Sequence, residues 1–376
     1  MKVYAVLRGF PGLGRVIAGF ELLRHLENHY KAIIKVSTYF QGDSYINTKG
    51  YSSSIKVDEK DVSSVGIISV SNSGEKIIED IVSFNPDIVI IDGEPILLQN
   101  LKISYPNLQI VSLLNPFDIN NTHNQKSSQD FFSYMYSYAD LSIVHGLWEE
   151  KRPINFKNFL SINSIVRDSI PAILPSENSN SIVCLLGGGS KSVNSGFTSG
   201  TIEIAKQVID LAISNEKLDF TVYTSDVIIK NKITNHIKAI EFDIKNLKVV
   251  GGITDEMEIY SKARLVIARA GRNTISELLT ISMPSIIIPT TANFRGSEQL
   301  TNCTKIESFN FPNIKAHNLD SGSYMLNQKM LQLLNTSFAK KNEVFVPGNK
   351  KAINALLAMM NRQSSDNLIE LGTNVN

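Results

Sequence analysis

Short apolar strands alternate with helix-spaced stretches along the whole chain, and each half opens on a strand that runs straight into a glycine-rich turn. The chain has 376 residues, too many for one ordinary core and enough for two. These observations predict an α/β protein of two tandem Rossmann-like domains facing a cleft, since alternating strands and helices build parallel sheets.

The first half justifies this element by element. Residues 2–8 are apolar enough for a buried strand, and Gly9, Gly12 and Gly14 form the turn after it. Residues 15–29 place Val16, Ile17, Phe20, Leu22, Leu23 and Leu26 near helical spacing. A second strand spans 32–38. Residues 41–61 are polar and read as a loop or weak strands. A short helix covers Ile77 to Phe84, and Pro86 then opens the buried strand from Asp87 to Asp92. Further strands run from Gln109 to Leu114 and from Leu141 to Val144. Between them lies an aromatic run from Phe131 to Tyr138. It reads as a core helix, with a lipid-acceptor surface as the alternative.

Composition shifts to Pro, Ser and Asn over 171–181, which marks a linker between a first domain at 1–170 and a second at 182–345. The alternation then restarts. Ser181 to Leu186 is a strand feeding Gly187-Gly188-Gly189-Ser190. Thr201 to Ser214 is a helix, Phe220 to Thr224 and Leu247 to Val250 are strands, Asp255 to Lys262 is a helix and Leu265 to Ile267 a strand. Residues 346–376 hold an apolar-faced helix, Lys351 to Met360, that packs back towards the first domain, and then a tail.

The stretch Ala268-Arg269-Ala270-Gly271-Arg272-Asn273-Thr274-Ile275-Ser276-Glu277, followed by Met283-Pro284-Ser285-Ile286-Ile287-Ile288-Pro289, carries the most chemistry. It reads as strand, small-residue turn, helix and a second buried strand. At the turn, Ala270, Gly271, Asn273 and Thr274 bring backbone N–H groups and a helix N-terminus to one point, an arrangement that binds an anion such as phosphate. Glu277, about one turn inside the helix, can accept two hydrogen bonds from a vicinal diol such as a ribose. Phosphate and ribose together indicate a nucleotide. The plain alternative for Glu277 is a carboxylate near a helix N-terminus, favoured by the macrodipole.

Composition narrows the function. Hydrophobic residues make up 43 % and charged residues 19 %, a globular profile, and the formal net charge of +1 gives no basic field for nucleic acid. Cys184 and Cys303 have no metal spacing and read as reduced structural thiols of a cytoplasmic protein. The opening MKVYAVLRGFPGLG lacks a signal peptide's apolar region, and no apolar run approaches a membrane span. No Asp-x-Asp motif is present, and no metal or cofactor is expected. The first glycine turn misses the dinucleotide fingerprint because Ile17 occupies the third glycine position. The spaced variant Gly12-x-Gly14-x-x-x-Ala18 keeps a nicotinamide cofactor as a residual alternative.

A series of motifs taken in order carries a resemblance. They are Gly9-Phe10-Pro11-Gly12-Leu13-Gly14-Arg15; the stretch from Pro86 to Pro95; Ser164-Ile165-Val166-Arg167; the second glycine turn; Gly252-Ile253-Thr254-Asp255-Glu256-Met257; and the block from Arg269 to Cys303. The chain resembles the glycosyltransferases related to the N-acetylglucosaminyltransferase of peptidoglycan synthesis, which have the GT-B fold. The 269–303 block is the specific part. The resemblance implies a nucleotide diphosphate sugar, UDP-linked, as donor. Glu277 would hold the ribose hydroxyls, and Gly271 to Thr274 would approach the diphosphate. Gly188, Gly189 and Ser190 would meet a phosphate, Ile253 would lie near the base, and Glu298 and Gln299 would contact the donor sugar. Arg167 would neutralise diphosphate charge, and Gly12 and Gly14 of the first glycine turn would also bind the nucleotide sugar, with an ordinary strand–helix turn as the plain alternative.

One departure matters. Many relatives carry a histidine after the first glycine turn, and this chain has Arg15, which cannot act as a general base near neutral pH. Arg15 could instead stabilise the leaving phosphate or an anionic acceptor. Asp92 and Glu94, at the carboxyl end of a buried strand, become the candidate bases, with His123 a third. The implied activity is an inverting, metal-independent glycosyl transfer to a hydroxyl of a cell-surface glycan or glycolipid. A lipid acceptor would add peripheral contact at the inner face of the cell membrane. The rivals are a sugar-nucleotide epimerase or hydrolase of the same fold, and a noncatalytic nucleotide-sugar-binding subunit.

Overall fold

A computed structural model describes the chain except residues 11, 64–65, 71, 121–124, 188–194, 241–242, 253–255, 291–295, 336–344 and 374–376, and the side chains of 195–197, 256–257, 296 and 362–373. The chain divides into two compact units, Met1–Val166 with Pro347–Asn376, and Arg167–Val346.

In the first unit, β1 (Lys2–Leu7), α1 (Gly14–Tyr30), β2 (Ile33–Thr38), α2 (Gln41–Thr48), α3 (Ser73–Phe84), β3 (Ile88–Asp92) and α4 (Pro95–Ser104) come first. They are followed by β4 (Ile110–Leu114), α5 (Pro116–Ile119), α6 (Lys126–Tyr136), β5 (Leu141–Gly146) and β6 (Phe159–Asn163). The second unit contains β7 (Ser181–Leu185), α7 (Ser195–Ser214), β8 (Asp219–Thr224), α8 (Val227–Lys238), β9 (Leu247–Gly251), α9 (Glu256–Lys262), β10 (Leu265–Arg269) and α10 (Arg272–Thr280). It closes with β11 (Ser285–Ile288), α11 (Gly296–Phe309), β12 (Ile314–Ala316) and α12 (Gly322–Leu334), after which α13 (Asn349–Thr373) returns to the first unit.

Each unit holds a six-stranded sheet, ordered β2-β1-β3-β4-β5-β6 and β12-β11-β10-β7-β8-β9, and every pairing is parallel. The central strands β3 and β4 are buried at every position. Helices cover both faces of a parallel sheet, so such strands read as continuous apolar runs. In the first unit, α1 buries Val16, Phe20, Leu22, Leu23 and Leu26 in one core cluster with Ala352, Ile353 and Leu356 of α13. The returning chain is fastened at the first residue of α13, where Asn349 accepts from Val166 N (3.0 Å) through Oδ1 and donates to Val166 O (2.7 Å) through Nδ2. Burying Ile353 and Leu356 contributes roughly 1.5–3 kcal/mol each. Cys184 and Cys303 are free thiols in the second unit, both buried, and burial pushes each up to about 12. No helix among the described residues is long and apolar enough to cross a membrane.

Two segments differ from the sequence reading. Residues 41–61 contain α2 and a 3-10 turn at Glu59–Asp61. Only Tyr45 and Ile46 of α2 bring large apolar side chains inside, so no helical period is visible. The helix is set instead by backbone proximity: a Cβ on Gly9 would stand 1.7 Å from Tyr39 O, and one on Gly42 would stand 3.2 Å from Gly9 Cα. The aromatic run is only partly core. Met135 and Tyr136 are buried, whereas Phe131 and Tyr134 are about half exposed (54 % and 49 %).

Gly9→Ala drives a methyl into a carbonyl that α2 depends on. Chemical denaturation is expected to show a loss of about 3 kcal/mol or more. An unchanged midpoint would mean that the β1–α1 turn has room to move away from Tyr39.

Candidate functional site

Both sheets contain a point at which the chain reverses its direction of growth, and ligands of open α/β sheets bind beyond the strand ends at such points. In the first unit this is the gap between β1 and β3; in the second it lies between β7 and β10.

At the end of β3, Asp92 is fully buried and its Oδ1 accepts from Arg15 Nη1 at 2.6 Å. The other arm of the same guanidinium, Nη2, donates to Asp118 Oδ1 at 2.5 Å. Asp118 belongs to α5, where its second oxygen accepts from Asn115 N (2.8 Å) and completes a capping box. One arginine thus ties together the starts of α1 and α5 and the end of β3. Burial opposes the charge of Arg15, but Asp118 and Asp92 outweigh it and hold its pKa above the ordinary arginine value. Burial likewise opposes ionisation of Asp118, and Arg15 outweighs it, so that pKa is lowered.

Glu94, also fully buried, makes different contacts. Its Oε2 accepts from Ile68 N at 2.9 Å, and its Oε1 meets the Tyr39 hydroxyl. That hydroxyl also lies 2.7 Å from Gly66 O. A phenol has one proton to give and here faces two acceptors. The conflict disappears when Glu94 is protonated: its O–H donates to Tyr39, and Tyr39 donates to Gly66 O. Burial pushes the Glu94 carboxyl up to about 7, against the pull of Tyr39, Arg8, Ile68 N and Arg15. Gly12 and Gly14 are half-buried at the entry to α1.

In the second unit, Gly187 turns the chain after β7 with φ +65°, and a Cβ there would meet Arg269 Nη2 at 2.8 Å. Gly188, Gly189, Ser190, Ile253 and, in the first unit, His123 lie outside the described residues. After β10, Ala270 is held on both sides. Its N–H donates to Ile288 O (3.0 Å), and its carbonyl accepts from Asn302 Nδ2 of α11 (2.9 Å). Gly271 is the N-cap of α10, in an extended conformation, and a Cβ on it would touch nothing within 4 Å. The first bond inside α10 runs from Ile275 N to Gly271 O (3.0 Å), so the helix ladder itself does not use the amides of its first turn. The Ala270 and Gly271 N–H groups, which the sequence offered to an anion, are instead spent on Ile288 O and on Arg269 O (2.7 Å), because the turn closes on itself. No acidic residue stands in the first turn of α10 to oppose an anion.

Glu277 follows on α10, only 2 % exposed. Arg167 grips it with both arms of a fork, Nε to Oε1 at 2.8 Å and Nη2 to Oε2 at 2.5 Å, and the Tyr260 hydroxyl adds a third bond to Oε2 at 3.0 Å. The structure therefore joins two residues that the sequence nominated separately. Gln299, on α11, meets the chain just after the end of β11, where its Oε1 accepts from Thr290 N (2.9 Å) and lies 3.1 Å from Thr290 Oγ1; Glu298 is half-buried beside it. Sequence reasoning missed Tyr260, Asn302 and Asp118 as supports. Only Asp118 had a local signal, the Asn-Pro-x-Asp pattern of a capping box.

Residues 182–347 match the family described as the glycosyltransferase family 28 C-terminal domain. No curated protein matches the chain. Among solved structures, UDP-GlcNAc 2-epimerase from Neisseria meningitidis, bound to UDP-GlcNAc, aligns with a TM-score of 0.62 at 12 % identity, over 95 % of this chain and 100 % of its own. MurG from Acinetobacter baumannii aligns with a TM-score of 0.57 at 12 % identity, over 95 % and 99 %. The spinosyn rhamnosyltransferase SpnG, complexed with thymidine diphosphate, aligns with a TM-score of 0.56 at 11 % identity, over 96 % of each chain. At these identities the likeness is one of fold.

The Glu94 cluster generates a pH prediction. The folded-state pKa is raised from 4.5 to about 7, so the stability gained from the neutral carboxyl is complete below about pH 4.5 and is lost as pH rises through 7. Glu94→Gln keeps the shape of the protonated form and cannot titrate. Urea denaturation at pH 5 and pH 8 is expected to show the wild type losing about 2.5 kcal/mol relative to Glu94→Gln across that interval. Parallel pH profiles would show that Glu94 titrates like an exposed carboxylate.

Proposed function

We propose that the chain, which shares its fold with GT-B proteins and matches the glycosyltransferase family 28 C-terminal domain over residues 182–347, moves a sugar from a nucleotide diphosphate sugar, UDP-linked, to a hydroxyl of a cell-surface glycan or glycolipid in the cytoplasm. The observation that carries this reading is the turn at Ala270–Gly271, held from behind by Ile288 and Asn302, with an unobstructed Gly271 and a carboxylate one to two turns further along α10. The turn's own two N–H groups are spent on Ile288 O and Arg269 O, and it presents the N-terminal end of α10 to a diphosphate and a carboxylate of the same helix to a ribose diol.

The acceptor hydroxyl attacks the anomeric carbon and gives up its proton, and the bond from that carbon to the diphosphate breaks with inversion. The negative charge growing on the diphosphate meets the α10 amides and Arg167, which serve in place of a metal ion. Glu94 has the basicity suited to proton removal near neutral pH. Since Glu94 and Asp92 are both fully buried, an acceptor reaches either one only after Tyr39, Arg15 or the turn at Gly66 shifts. Arg15 spends both arms on Asp92 and Asp118, which makes it a positioning residue for Asp92.

A second reading, an epimerase or hydrolase acting on the sugar nucleotide without an acceptor, draws support from two observations. Epimerases stand among the structural neighbours, and an ion-paired arginine occupies the position at which many transferases carry a histidine. Incubation with donor alone separates the two, since an epimerised donor or free nucleotide would favour the rival.

Thermal shift with UDP, GDP, CDP and dTDP is the first test, because a ligand of the native state raises Tm by mass action. One diphosphate is expected to give a clear rise. Gly271→Ala, with open space around its new methyl, is expected to keep its own Tm within about 2 °C while losing about tenfold or more in nucleotide affinity. A well-folded wild type that responds to none of the four would remove the donor site from this proposal.

A further inference from the structure

Resting on the donor reading above, the geometry points to Arg167 as a latch that makes the ribose site answer to nucleoside diphosphates and not to nucleosides. A carboxylate offers about four lone-pair positions on two oxygens. At least three hydrogen bonds already reach Glu277 among the described residues, two from Arg167 and one from Tyr260. A vicinal diol brings two more donors, so at least one occupant has to leave.

The occupant that leaves is fixed by shape. The Nε and Nη2 groups of Arg167 lie side by side along the edge joining Oε1 and Oε2, the bidentate mode of guanidinium and carboxylate. Two hydroxyls on neighbouring carbons need that same edge to donate in parallel. Tyr260 approaches Oε2 alone and holds the carboxylate in place whichever partner occupies the edge.

The cost of opening the latch depends on what the ligand offers in return. Arg167 is 8 % exposed and Glu277 2 %, so a nucleoside that takes Glu277 breaks a buried, forked ion pair and brings no charge of its own to the guanidinium. A nucleoside diphosphate supplies that counter-charge itself. Glu277 lies five residues beyond the first residue of α10, about 7.5 Å along the helix axis from the amides that would hold the diphosphate. A guanidinium on a flexible stem covers such a distance by a change of rotamer. The ion pair is therefore exchanged for two new contacts, diol on Glu277 and diphosphate on Arg167, and neither half of the exchange is favourable without the other.

The test is titration calorimetry of the full chain with uridine and UDP, or with the matching nucleoside and diphosphate if the thermal-shift panel selects another base. Wild type is expected to prefer UDP by about a hundredfold or more, since the nucleoside alone has to break the pair. In Arg167→Lys, which keeps the charge but cannot occupy both oxygens as a fork, uridine affinity is expected to rise about tenfold while UDP stays within a few-fold. Arg167→Met is expected to narrow the ratio from both sides, and Arg167→Lys carries the test if the methionine variant fails to fold. Tyr260→Phe is the control and is expected to leave the ratio unchanged. Uridine affinity that stays flat or falls in the folded arginine variants, with UDP still binding wild type, overturns the latch and spares the donor site. A shift of the ratio in Tyr260→Phe alone overturns it as well. Failure of every diphosphate to bind wild type removes the donor reading and the latch together.

Discussion

A strand that must lie parallel to its predecessor cannot turn straight back. It reaches its place through a crossover, and crossovers of one hand are almost universal. Both sheets in this chain have their first strand in the interior, β1 beside β2 and β3, β7 beside β8 and β10. Successive crossovers therefore leave that strand towards opposite faces, and the carboxyl ends of two adjacent strands stay uncovered. Several groups with chemistry sit at these two ends: Arg15, Asp92 and Glu94 in the first unit, and Gly187, Arg269 and the Ala270–Thr274 turn in the second. The position of the site is a consequence of strand order, and the residues decide what it does.

The two ends are finished differently. In the first unit the charges are spent internally. Arg15 serves two carboxylates, and Glu94 is closed into a chain that runs through Tyr39 to Gly66 O. In the second unit the backbone is braced from behind by Ile288 and Asn302, and the helix end in front of it stays open at Gly271. An open helix N-terminus suits an anionic ligand. A compensated acid cluster suits proton chemistry on a neutral one. The division of labour between donor and acceptor proposed above follows from this contrast.

The sequence made some of this plain and hid the rest for physical reasons. Strands such as β3 and β10 are buried on both faces, so they appear as uninterrupted apolar runs next to glycine turns. The α10 turn was legible for the same reason: a strand, small residues and a helical carboxylate lie within ten positions. Helix α2 was not, because it is fixed by the approach of Gly42 to Gly9 and not by an apolar period. Composition changes at 171–181, whereas the packing division falls between Val166 and Arg167. Arg167 lies with the second unit because its partner is Glu277, 110 residues away, and no local pattern encodes a partner at that distance.

That partner raises a question which stability alone does not answer. A buried ion pair is weak evidence for stability, since the desolvation of two charges offsets much of their attraction, and apolar residues of similar size often do as well or better. Here the pair is nearly inaccessible, forked and supported by a buried tyrosine hydroxyl. It also joins the base of the second unit's first turn, at Ile170–Ala172, to α10, elements that two leucines could have joined instead. An ion pair differs from such a contact in one respect: it can be exchanged. A charged ligand can take one partner and a diol the other, and the cost of separating the two charges is then offset by the ligand that requires both. Apolar packing at this position would stabilise the unit equally well with or without nucleotide and could not distinguish the two states.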